Sequence, residues 1–123
     1  MYGKTTVNRG DVWAVDLEPA TGSEMNKVRP CLVVTNNIAN RYSRVIVVVA
    51  LTTAAPTDPY PWMVEVPETA NMPRPSWVHC AHIRAVDKAR LGRYYTSLDT
   101  DTMRKVDEAL MEQLGLNAQS VTE

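Results

Sequence analysis

The chain has 123 residues, 45% of them hydrophobic and 22% charged, with a net charge of −1. That is enough apolar material for one domain around one core, without disulfide or metal staples. The near-neutral charge excludes a polyanion grip spread over the whole chain, and no apolar run nears the roughly 18 residues that span a membrane.

The first residues, Met1 to Thr6, lack the apolar segment of a signal peptide, so the expected compartment is the cytoplasm. In that compartment Cys31 and Cys80, both in apolar strand-like runs, are expected as buried free thiols, and their spacing is no zinc pattern. Charge is unevenly placed. Residues 1–53 hold six Lys/Arg against four Asp/Glu, and residues 74–105 hold seven against three, whereas 54–73 and 106–123 carry only acidic charges. A basic body with an acidic C-terminal end can present a local phosphate-binding surface.

Residues 1–8 are polar and expected to fray. Arg9-Gly10-Asp11 reads as a turn. Val12 to Leu17 alternates, with Trp13, Val15 and Leu17 on one side, and predicts a half-buried strand. Glu18 to Ser23 breaks it, and the loop on to Val28 has no apolar period. A second strand runs about Pro30 to Thr35, and Asn36 to Tyr42 is a short helix or turn. Val45 to Leu51 is a continuous β-branched run, which predicts a strand buried on both faces and ending in Thr52-Thr53.

Ala54 to Pro61 holds three prolines and reads as a loop. Trp62 to Val66 is a short strand, Pro67 to Pro75 a connection, and Ser76 to Ala85 a longer strand. Asp87 to Leu91 is a turn or single helical turn, and Arg93 to Ser97 a last strand. Leu98 to Leu114 is the clear helix. Asp99 is its N-cap and Gly115 its C-terminal stop, with Met103, Val106, Leu110 and Leu114 spaced to face the core. Short strands with Pro/Gly turns and one closing helix indicate a small, strongly bent sheet or barrel in a single domain, 1–123.

Arg29 stands directly before Pro30, which holds its backbone extended and stiff. A guanidinium on a fixed strand edge, beside a loop with Ser23, Glu24 and Lys27, suits gripping a phosphate. Thr52 and Thr53 hang hydroxyls on a rigid strand end. His79 and His82 are three apart, which in a regular strand puts them on opposite faces and prevents joint chelation of a metal. The same alternation sets His82 and Arg84 on one face, together with Val78 and Cys80. The chain has no Gly-rich phosphate loop, His-Glu-x-x-His or Gly-x-Ser-x-Gly motif. No metal or cofactor is called for.

In order, Arg9-Gly10-Asp11-Val12-Trp13, Asp16-Leu17-Glu18-Pro19, Gly22-Ser23-Glu24, Arg29-Pro30 and Leu32-Val33-Val34 resemble the opening of MazF/PemK toxins. The match continues through Ala50-Leu51-Thr52-Thr53, His82 to Leu91 and the closing helix, covering roughly residues 8–116. The resemblance implies a mainly β fold with α, an SH3-like barrel of the CcdB/PemK type with a C-terminal helix, forming a homodimer. It implies a metal-independent endoribonuclease that cuts single-stranded RNA at a short sequence, and a cognate MazE-like antitoxin that blocks the RNA groove. It makes Arg29 the main catalytic residue and Thr52 its partner. It sets Ser23, Glu24 and Arg84, with Thr53 and His82 beside them, against the RNA.

In cleavage of this type the 2′-OH attacks the adjacent phosphate, leaving a 2′,3′-cyclic phosphate and a 5′-OH. The transition state needs a proton acceptor, a proton donor and cationic cover. Arginine suits the cover and is a poor base; Glu24 is the candidate acceptor of the 2′ proton. Two positions depart from the family's pattern. Ala81-His82 stands where Glu/Asp-Gln is usual, the Gln reading RNA, and Pro75-Ser76 stands where an acidic residue usually precedes Ser. His82 could read a base or share in proton transfer. The competing reading on the same fold is a non-catalytic, CcdB-like toxin that binds gyrase. The lack of a C-terminal Trp and the presence of both Arg29 and Thr52 favour the enzyme.

Overall fold

The computed structural model describes residues 5–17, 28–57 and 62–116. The expected loop at 18–27, with Ser23, Glu24 and Lys27, lies outside the described residues, as do the first four residues, positions 58–61 and the tail from 117. Six strands follow in chain order: β1 (Asp11–Asp16), β2 (Val28–Val33), β3 (Val45–Thr52), β4 (Met63–Glu65), β5 (Trp77–Asp87) and β6 (Leu91–Ser97). Two helices join them, α1 (Asn37–Tyr42) between β2 and β3, and α2 (Thr100–Leu114) after β6. The strands form one antiparallel sheet in the order β4-β5-β3-β2-β1-β6.

Strand alternation divides the apolar residues into two clusters. Val12, Leu32, Val49, Leu51, Val78 and Cys80 pack with Val106 and Ala109 of α2. Trp13, Val15, Cys31, Val33, Ile46, Val48 and Val86 make the second cluster on the opposite face. β3 supplies both clusters, so its unbroken apolar run is needed. β1 does the same: Val12 and Val15 are fully buried in different clusters, so the expected half-buried strand is buried on both sides. β1 meets β6 with register shifts at Val12/Trp13 and Trp13/Val15, irregularities that bend a strand and raise its twist, and β6 packs Tyr95 on one cluster and Leu91 and Tyr94 on the other.

The Arg9-Gly10-Asp11 turn proves to be a junction. Gly10 has φ +98°, a backbone state that glycine adopts at little cost. The Arg9 guanidinium donates to the Val34 carbonyl at 2.8 Å and pairs with Asp107 of α2 at 2.7 Å. The buried Asp11 carboxylate accepts from the Asn8 backbone N–H, the Trp13 indole and the Ser97 hydroxyl, which ties the start of β1 to the end of β6. A buried carboxylate is tolerated only with such donors.

Asp99 and Gly115 bound α2 as expected, and α1 has a cap of its own. Asn36 accepts from the Ala39 N–H to start α1, Asp99 accepts from the Thr102 N–H to start α2, and Gly115 ends α2 in the left-handed region. One expected core residue is not there: Leu114 is 54% exposed. Leu114 instead lines an open groove with Val34, Ile83 and Leu110, and the buried stripe is Thr102, Val106 and Ala109.

Candidate functional site

β2 and β3 pair from Val33↔Val48 to Cys31↔Ala50, and there the ladder stops at Pro30, which has no N–H to give. On the other side of β3, Arg84 of β5 lies opposite Val48. Arg29 and Arg84 thus flank β3 from two neighbouring strands. Together with Cys31, Ala50, His82 and Leu17 they line a cavity of about 560 Å³.

The Arg84 guanidinium donates to the Leu17 carbonyl at 3.3 Å, and that of Arg90 to the Asp16 carbonyl at 3.2 Å. Both are therefore held at the end of β1. Cys31 sits at the floor. Burial pushes its thiol up to about 12, while the positive charges of Arg29 and then Arg84 pull the other way. Both guanidinium charges are thus felt at the cavity floor, and a cavity with that positive potential favours an anion. The Cys80 thiol, also buried, is pushed up to about 11. Neither cysteine has the thiolate character that reactivity needs.

β5 departs from regular alternation at this place. Val49 of β3 lies opposite Ile83 and Leu51 opposite Val78, so two steps on β3 are matched by five on β5. The extra residues form a bulge. It turns Val78 and Cys80 into the cluster beneath α2 and His82 and Arg84 to the cavity, so these four do not share one face. It also brings His79 and His82 together, with ring centroids 4.1 Å apart and planes tilted by 49°, where a regular strand would part them. Burial, and then the neighbouring His82, hold the His79 imidazole below its ordinary range.

Of the sequence-predicted residues, the cavity therefore gathers Arg29, His82 and Arg84. Thr52 and Thr53 do not line it. Thr52 is half-buried, with its hydroxyl oxygen accepting from the Ala54 N–H at 3.1 Å, and Thr53 is exposed. Ser23 and Glu24 lie outside the described residues. Among the described residues no group of three or more His, Cys, Asp or Glu could hold a metal ion, and no helix is long and apolar enough to cross a membrane.

A family model described as PemK-like, MazF-like toxin of type II toxin–antitoxin systems matches residues 8–114. The chain belongs to this toxin family. Endoribonuclease EndoA of Bacillus subtilis (strain 168) is 42% identical to it over 111 residues, covering 89% of this chain and 96% of that protein. Among solved structures, an endoribonuclease from a mycobacterial species superposes with a TM-score of 0.77 at 30% identity, covering 92% of this chain and 95% of the other. A mycobacterial endoribonuclease in complex with its cognate antitoxin superposes with a TM-score of 0.77 at 31% identity, over 90% and 97% of the two chains. The MazF/PemK-type fold expected from the sequence is thus the fold observed, a six-stranded antiparallel sheet with a C-terminal helix.

Proposed function

We propose that the chain is a sequence-specific, ribosome-independent endoribonuclease toxin that cuts single-stranded RNA. The observation that carries the reading is the convergence of Arg29, Arg84 and His82 on one cavity. The identity to EndoA supports the same activity class.

RNA lies with the scissile phosphate against the two guanidiniums. The 2′-OH attacks the phosphorus, the bond to the 5′ oxygen breaks, and a 2′,3′-cyclic phosphate and a 5′-OH result. Arg29 stabilises the charge of the phosphorane, and Arg84 adds a second cation from the other side of β3. Arginine remains protonated, so it is no base. Glu24 is the proposed acceptor of the 2′ proton, and the leaving 5′ oxygen takes its proton from solvent water, so that the step balances. Thr52 orients the phosphate from the strand end, and Ser23, Thr53 and His82 contact the bases and backbone. Two guanidiniums supply the cationic cover that a metal ion supplies in other nucleases, which supports metal independence. Cleavage is confined to RNA because only RNA carries the attacking hydroxyl.

The protein acts in the cytoplasm as a homodimer and is neutralised by a MazE-like antitoxin. The relative solved with its cognate antitoxin supports that partner. The test is incubation of the purified protein with a long single-stranded RNA in excess EDTA, followed by mapping of the ends. Discrete cuts with 5′-OH ends are expected. Cutting that stops in EDTA, or ends that carry 5′-phosphate, would overturn the mechanism.

A further inference from the structure

His82 is exposed and sits on a bulge. A histidine so placed ordinarily samples several rotamers, and ordering it on ligand binding costs entropy. Here its ring lies against that of His79, centroids 4.1 Å apart with the planes tilted by 49°. His79 is itself well anchored. Its backbone lies opposite Met63 of β4, and the next residue, Cys80, donates its N–H to the Trp62 carbonyl at 2.7 Å. The His79 Nδ1 is buried and has no hydrogen-bond partner among the described residues. The ring is half-buried on a strand paired on both sides, and burial and the facing imidazole both oppose its protonation. A neutral ring carried on a paired strand gives the neighbouring imidazole a contact surface that a mobile loop would not.

We propose that His79 is a positioning residue, whose ring holds His82 at the mouth of the Arg29–Arg84 cavity and thereby sets the preference for the unstacked base beside the scissile phosphate. The proposal rests on the endoribonuclease reading. His79 touches neither the phosphate nor the base. It fixes the imidazole that does, and the β5 bulge is what brings the two rings into contact. A base edge read by a pre-ordered imidazole is discriminated more sharply than one read by a mobile side chain, because a wrong base then leaves a fixed polar group unpaired.

The experiment compares wild type with His79→Leu, which keeps apolar bulk without a ring, and His79→Phe, which keeps the ring without titration. Two readouts are taken on each: the chemical shifts of the His82 ring protons, and the cut map on a long RNA carrying every single-base variant of the preferred site. His79→Leu is expected to abolish the ring-current shift on His82 and to lower the ratio of best to next-best site roughly tenfold, the order of one lost base contact. His79→Phe is expected to restore both. An unchanged cut map in His79→Leu, with wild type cutting normally, overturns the proposal alone. A flattened map in His79→Phe despite a restored ring-current shift does the same. Absence of cutting by wild type overturns the functional reading and takes the proposal with it.

Discussion

Along β3, Val49 and Leu51 point beneath α2, whereas Val48 and Ala50 point towards the face that carries Arg29 and Arg84. β2 alternates in the same way, with Leu32 on the helix side and Arg29 and Cys31 on the other. The helix-covered face is closed with apolar side chains from every layer. The opposite face is apolar through Trp13, Val33 and Ile46, then turns cationic towards its mouth. One set of strands thus holds the protein together on one side and presents charge on the other. A substitution one residue along a strand should change stability or activity, and seldom both.

The largest separation is expected between Leu32 and Arg29. Leu32 is fully buried, and Leu32→Ala should cost about 2–5 kcal/mol in urea unfolding, through lost burial and a residual cavity. RNA cleavage per folded molecule should hold. Arg29→Ala should do the reverse, lowering cleavage at least about 100-fold, as for loss of a transition-state donor, while the unfolding midpoint stays put. Arg29→Lys should not restore it, because an ammonium lacks the planar fork. Equal losses of activity and stability in either variant would break the comparison. Next in size is His82→Gln, which should move the preferred cut site more than it changes the rate. An unmoved cut map would remove His82 from base reading.

The smallest effect concerns the two thiols that lie on opposite faces. Folded Cys31 and Cys80 are pushed up to about 12 and about 11, from an ordinary value of 9.0. Between those limits the folded chain keeps protons that the unfolded chain has released. Stability is therefore full below about pH 9 and declines as pH rises towards 11 and 12. Unfolding measured from pH 8 to 11 should show that decline, and a Cys31→Val, Cys80→Val double variant should flatten it. An equally steep decline in the double variant would locate the alkaline sensitivity elsewhere.

Much of this division was legible in the sequence because it follows from period and punctuation. The Val45–Leu51 run, the Asp99 and Gly115 helix limits and the stiff Arg29-Pro30 step all appear where their chemistry put them. What escaped was long-range geometry. The bulge in β5 carries no glycine or proline within His79 to His82, and it arises from the match of β5 to β3 on one side and β4 on the other. A strict period of two therefore separated His79 from His82 and grouped Cys80 with Arg84, and both inferences reverse in the fold. The burial of β1 on both faces was missed for a related reason. The cover over Trp13 and Val15 includes Leu91 and Tyr94 of β6, a long-range pairing that the alternation within Val12 to Leu17 does not reveal. Leu114 keeps its helical period but borders an open groove in place of the closed core.

The most direct test of the cationic face as the seat of phosphoryl transfer is a short RNA that contains the preferred site with a single 2′-deoxy nucleotide on the 5′ side of the cut. The proposed chemistry predicts that the protein still binds this oligonucleotide, since both guanidiniums address the phosphate, and that cleavage disappears. Cleavage of the 2′-deoxy substrate at the same bond would mean that water or another group is the nucleophile, and would contradict the mechanism at its first step.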